Sequence, residues 1–176
     1  VLCTELVTTP ETEPFKLCNL TSSQKQREMT FTMAVSLNNQ SSAINTHHLS
    51  NLLKAFETKY HLPALEDKSL KGFLTGAIDM VFEHQGRFYI LDWKSNFLGP
   101  RISDYNQKSM KLAMQQHHYY LQYLIYCVAL KRYLNTRQIE LNNRNFGGVI
   151  YAFIRGIRMK NKRPYGILFE KPPLSL

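Results

Sequence analysis

The chain has 176 residues, 44% of them hydrophobic, enough for one domain with a real core and too few for two comfortable ones. Its formal charge of +9 points to a polyanionic partner, although an anionic membrane surface fits that balance equally well. Cys3, Cys18 and Cys127 are odd in number and lack C-x-x-C spacing, which argues against a disulfide framework or a cysteine-based zinc site and fits a reducing, cytoplasmic setting; no apolar run approaches the ~20 residues of a membrane helix.

Residues 1–7 predict a short strand, followed by a Thr/Pro/Glu loop and a second short segment over 15–20. Over 28–35, Met29, Phe31, Met33 and Val35 alternate with Glu28, Thr30, Thr32 and Ala34, the pattern of a half-buried strand. Glu28 opens its polar face and, taken alone, reads as a solvated strand-end charge. After a polar loop, Asn45 or Thr46 caps a predicted helix to about residue 59, with Leu49, Leu52, Leu53 and Phe56 on one face. His47 and His48 near its start lack a partner at ligand spacing and read as surface residues.

The stretch 72–99 reads as a β-hairpin: two runs, 77–82 and 88–93, of β-branched, aromatic and aliphatic residues around a turn in which Gly86 can take a positive φ. A two-residue loop at Gln85-Gly86 sets Asp79 opposite Asp92 and Ala77 opposite Lys94. Alternation then puts Asp79, Val81, Phe88, Ile90, Asp92 and Lys94 on one face, and Ile78, Met80, Phe82, Tyr89, Leu91 and Trp93 on the other. Both faces are largely apolar, as in an inner strand covered by further layers. An Asp-x-Lys alone is most often a structural ion pair at a sheet edge. Here one lysine cannot neutralise two opposed carboxylates, and hard oxygen ligands beside an apolar surface suit magnesium or manganese.

Beyond the hairpin, Ser103 or Asp104 is the expected cap of a long helix ending near Asn135, with a break near His117-His118 allowed by a weak core stripe before it. Leu121, Leu124, Ile125 and Val128 form its core stripe; Gln115, Tyr119, Gln122 and Tyr126 form a second, polar-aromatic one, either an ordinary helix shoulder or the lining of a nucleic-acid groove. A continuous apolar strand over 146–154, opened by Gly147-Gly148, leads into five cations in the nine residues from Arg155 to Arg163. A last strand over 165–170 returns antiparallel beside it. No phosphate-binding Gly-Lys loop and no G-x-S-x-G elbow occurs, so ATP chemistry and serine acyl transfer are unsupported within the chain.

An aspartate, a spacer of about a dozen residues, then Asp-x-Lys on the next strand resembles the signature of the PD-(D/E)xK nuclease superfamily. The wording GFLTGAIDMVFEHQGRFYILDWKSNFLG, with YYLQYLIYCVALKRYL, FGGVIYAFIRGI and REMTF in their places, is similar to the nuclease domain of RecB-type helicase-nucleases over residues 28–158. The resemblance implies an α/β, restriction-endonuclease-like core, a central mixed sheet flanked by helices, in one nuclease domain over 1–176. It implies that Asp79 and Asp92 bind metal with the main-chain carbonyl of Trp93, that Lys94 is the catalytic lysine, and that Glu28 is the acidic residue ahead of the hairpin. Gln122 and Tyr126, with Tyr119 beside them, match the helix motif that closes the active site. Arg155, Arg158 and Lys160 would contact phosphates.

The implied activity is magnesium-dependent exonuclease cleavage of DNA in break repair and recombination, with Mn²⁺ or Ca²⁺ able to occupy the same site and ATP used only by a helicase part outside the chain. The implied partners are single-stranded DNA and RecC-like and RecD-like subunits, with no membrane. The family's histidine ligand on an earlier helix has no counterpart here. With a chain that starts inside apparent strand sequence, this leads us to expect that an N-terminal part is missing and that the isolated chain is weakly active or inactive. The rival expectations are a stand-alone nuclease of the same superfamily and a catalytically silent module for DNA binding or subunit docking.

Overall fold

The computed structural model describes residues 5–6, 15–36, 44–45, 72–158 and 165–171. Its strands are β1 (Glu5–Leu6), β2 (Phe15–Lys16), β3 (Lys25–Ser36), β4 (Ile44–Asn45), β5 (Gly72–His84), β6 (Arg87–Lys94), β7 (Phe146–Phe153) and β8 (Ile167–Glu170); its helices are α1 (Gln107–Gln116) and α2 (Tyr119–Asn135). The expected helix over 46–59, with His47 and His48, lies outside the described residues, as do Cys3 and Lys160.

The described strands form a mixed six-stranded sheet in the order β4-β3-β5-β6-β7-β8, with a separate antiparallel pair β1-β2. β3 and β5 are antiparallel, β5 and β6 form the expected hairpin, β6 and β7 run parallel, and β8 returns antiparallel along β7. This is the α/β architecture expected of a restriction-endonuclease-like core, with the hairpin strands inside the sheet as their two apolar faces require. Gln85 at φ 52 and Gly86 at φ 71 make the two-residue turn. The pairs Met80↔Leu91, Val81↔Ile90 and Phe82↔Tyr89 confirm the expected register.

Each face of the sheet carries a core. On one, Met29, Met33, Val81, Ile90, Val149 and Phe153 pack against Met110, Met114, Tyr123, Leu124, Cys127 and Leu130 of the helices. On the other, Met80, Phe82, Tyr89, Leu91 and Ile150 pack under Phe15, Leu17, Leu20 and Ile157. Cys127, buried in the helix-side core, has its thiol pushed far up by desolvation.

Several local expectations are corrected. Ile78 lies with Val81 and Ile90 on the helix side, not with Met80. The cause is on β3, where Glu28 takes φ 48 and interrupts the ladder between Arg27↔Met80 and Met29↔Ile78, so side-chain alternation inverts on both strands there. The helix cap is Asn106, whose Oδ1 accepts the Ser109 N–H at 3.1 Å; Asp104 instead accepts the Arg101 N–H, and residues Ile102–Tyr105 form a 3-10 turn. The helix does break, at His118 with φ 53. That break carries Gln115 away on the exposed side of α1, so the four-residue polar stripe is not continuous. The buried stripe of α2 runs through Tyr120, Tyr123, Leu124, Cys127, Leu130 and Leu134, while Leu121, Ile125 and Val128 flank it. Tyrosines carry enough apolar surface to occupy a core, which a reading that counts them as polar misses.

Candidate active site

Asp92 and Lys94 project from the C-terminal end of β6 toward the helices, and both are buried, 3% and 6% exposed. A buried ammonium needs partners for all its donors. Lys94 Nζ lies 2.7 Å from Asp92 Oδ2, donates to Gln122 Oε1 at 2.7 Å, and sits 3.5 Å from the centre of the Tyr119 ring. The Tyr151 ring completes the enclosure at 5.4 Å. Gln122 Nε2 in turn donates to the Tyr126 hydroxyl at 2.8 Å, which faces the Asp92 carboxylate. Helical spacing explains the link, since residues 122 and 126 stand one turn apart on the same face of α2.

Asp79 enters from β5. The β5-β6 ladder ends at Met80↔Leu91, so Asp79 does not face Asp92 as a paired residue; its Oδ2 accepts the Trp93 N–H at 2.8 Å instead. A carboxylate thus replaces the backbone acceptor where the strands part. The N–H and C=O of a strand residue point to the same side, so the Trp93 carbonyl opens onto that gap. Asp79 remains near enough that its charge acts on both Asp92 and Tyr126.

Burial pushes the Asp92 carboxyl above its ordinary range; the adjacent Lys94 ammonium opposes the rise, and Asp79 adds to it. Burial, reinforced by Asp92, pushes the Tyr126 hydroxyl up to about 12, so it stays a donor at neutral pH. Tyr151 is held well above the usual tyrosine range, chiefly by burial. The Lys94 contact lies off the hydrogen-bond direction and leaves Asp92 Oδ2 without an aligned donor. A buried carboxylate oxygen in that state, with Asp79 and a main-chain carbonyl beside it, is a hard oxygen donor set of the kind magnesium accepts, because that ion takes one or two carboxylates and completes its shell with water and phosphate. Among the described residues no three His, Cys, Asp or Glu side chains group as a complete set of metal ligands.

Of the residues singled out by sequence, Asp79, Asp92, Lys94, Tyr119, Gln122 and Tyr126 are brought together. Glu28 is exposed and lines an open cavity with Arg27, Asp79, Met80 and Trp93. Arg155 is exposed and ties down the chain after Lys94 through Nε donating to the Ser95 carbonyl at 2.9 Å. Arg158, also exposed, donates to the Ile157 carbonyl at 3.0 Å. Two participants escaped the sequence reading. Asn96 accepts the Tyr119 hydroxyl at 3.2 Å, and Tyr151 donates to the Tyr119 carbonyl at 3.0 Å. Asn96 follows Lys94 by two residues, a local signal that could have marked it. Tyr151 is hidden in an apolar run and carries no such mark.

The sequence profile of the PD-(D/E)XK nuclease superfamily matches residues 13–168. The chain is 40% identical over 162 residues to the RecBCD enzyme subunit RecB of Escherichia coli, covering 91% of this chain and 13% of that protein. The RecB subunit of Haemophilus influenzae is 38% identical over 163 residues, with the same 91% and 13% coverage. That of Borreliella burgdorferi is 35% identical over 120 residues, 65% of this chain and 10% of the relative.

Proposed function

Because the chain belongs to the PD-(D/E)XK nuclease superfamily, we propose that it hydrolyses DNA phosphodiester bonds with magnesium, as the nuclease part of a RecB-type helicase-nuclease. The observation that carries this reading is the buried Lys94 ammonium held at 2.7 Å from both Asp92 and Gln122, at the point where β5 and β6 part around Asp79.

Asp79, Asp92 and the Trp93 carbonyl would hold the ion, with Mn²⁺ or Ca²⁺ as substitutes; when bound it supplies Lewis-acid polarisation of a phosphate oxygen. The chain's own residues do the rest. Lys94 orients the attacking water and stabilises negative charge as it grows on the reacting oxygens. Gln122 fixes the Lys94 rotamer and is itself fixed by Tyr126, so the ammonium pays little reorganisation at the moment of reaction. Glu28, exposed to solvent near Asp79, would accept the water's proton or bind the ion through an intervening water. Arg155, Arg158 and Lys160 make sequence-independent phosphate contacts, so binding weakens steeply with salt.

The whole protein's role follows as part of the same proposal. The chain spans 13% of the length of the relatives from Escherichia coli and Haemophilus influenzae. It would act on single-stranded DNA delivered by a helicase part, alongside RecC-like and RecD-like subunits, in cytoplasmic break repair and recombination. Among the described residues no helix is long and apolar enough to cross a membrane. The test is Asp92→Ala in the complete protein: magnesium-dependent cleavage should fall about a hundred- to a thousandfold, the scale of losing a main electrostatic stabiliser. Equal rates in variant and parent would end the proposal.

A further inference from the structure

Beyond the last β5-β6 pair, on the sheet face away from the helices, lies an open cavity of about 360 Å³, within the range of ligand pockets. Its described lining is Arg27, Glu28, Asp79, Met80 and Trp93. Trp93 is half-buried, resting against the second core, and its N–H is bonded to Asp79, so its position is fixed relative to that carboxylate. Arg27 is exposed, and among the described residues its guanidinium forms no hydrogen bond or ion pair.

The backbone goes out of its way to put Arg27 there. Residues two apart on a strand share a face, so regular alternation would send Arg27 to the helix side with Met29. The left-handed Glu28, at φ 48, inverts the alternation, and Arg27 instead opposes Met80 on the cavity side. An L residue adopts that conformation only at a cost, and such strain collects at functional sites.

We propose that this cavity is a nucleotide subsite. The base of one nucleotide of single-stranded DNA stacks on the Trp93 indole, the Arg27 guanidinium binds a phosphate beside it, and the next phosphate is thereby delivered to Asp79 and Asp92. The chemistry asks for both parts. A polyanion approaching Glu28 and Asp79 meets like charge and needs a fixed cation to offset it, and a guanidinium binds phosphate with directed donors. An indole face accepts any unpaired base, whereas a duplex keeps its bases stacked inside. The subsite rests on the nuclease reading and adds two positioning residues on the face opposite Lys94.

Trp93 is the only tryptophan of the 176 residues, so its emission reports on this cavity alone. The chain is titrated with fluorescein-labelled oligothymidylate in EDTA, so that nothing is cleaved, and label anisotropy and tryptophan emission are followed together. The expected result is saturable quenching that tracks the anisotropy. In Arg27→Ala the midpoint should weaken about tenfold and the slope of log affinity against log salt should fall by about 0.7, the value for one phosphate contact on a single strand; Arg27→Lys should recover part of both. Binding with unchanged emission, or an Arg27→Ala midpoint and slope equal to the parent's, overturns the subsite and leaves the nuclease reading standing. No anisotropy change with the parent chain overturns both.

Discussion

Lys94 and Asp92 show how much one residue's environment decides. Each is an ordinary surface type, yet each is buried, and the ammonium is held there by the charge of Asp92, a hydrogen bond to Gln122 and the face of the Tyr119 ring. Desolvation raises the Asp92 carboxyl above its ordinary value of 3.8. A group raised on folding holds its proton longer in the folded chain, so its contribution to stability is complete below 3.8 and is lost as pH rises through the folded value. Asp92→Asn suffers no such loss. In metal-free buffer, urea unfolding at a series of pH values should therefore show the variant gaining on the parent across that interval, and a difference that stays flat with pH would contradict the burial argument. Asp92 and Lys94 were legible as residues because alternation in a strand fixes their face. The bond from the Trp93 N–H to Asp79 was not, since it depends on where the ladder stops.

Among the elements, β7 carries the least visible decision. Phe88 pairs with Phe146, but Tyr89 pairs with Gly148, so Gly147 is an extra residue and the register shifts by one. Through that bulge Tyr151, rather than Ile150, stands beside Asp92 and reaches the Lys94 enclosure. A Cβ at position 147 would meet the Tyr89 ring at 2.3 Å, and Tyr89 is fully buried with little room to yield. Gly147→Ala should destabilise the chain by about 1–3 kcal/mol, the usual cost of overpacking, and should lower cleavage more than an equally destabilising change far from the site. Thermal unfolding and the cleavage rate measured together would show it; wild-type stability would mean the ring can move aside. The sequence marked Gly147-Gly148 as the opening of a strand but not as a bulge, because a bulge is defined by the partner strand.

For the whole molecule, a sheet covered on both faces leaves the ends of its central strands as the place where polar groups can gather, and the site lies where β5 and β6 separate. If Asp79 and Asp92 hold magnesium there, the ion binds the folded chain alone and must stabilise it by mass action. At a hundredfold excess over the dissociation constant the gain is about 2.7 kcal/mol. Calorimetric unfolding should show that gain in the parent chain and none in Asp92→Ala, and a parent that ignores magnesium would remove these residues as its ligands. What the sequence determined by itself was the hairpin, its two-residue turn and register, and the acids and amine near one end, because strand periodicity and turn chemistry act over a few residues. Only the tertiary structure decided which tyrosines enclose Lys94, that Asn106 rather than Ser103 or Asp104 caps α1, that Gln115 leaves the site, and that Glu28 inverts its strand. The enclosure of Lys94 joins residues far apart in the chain, whose distance no local pattern encodes, and the other three turn on backbone angles and cap geometry that side-chain periodicity does not carry.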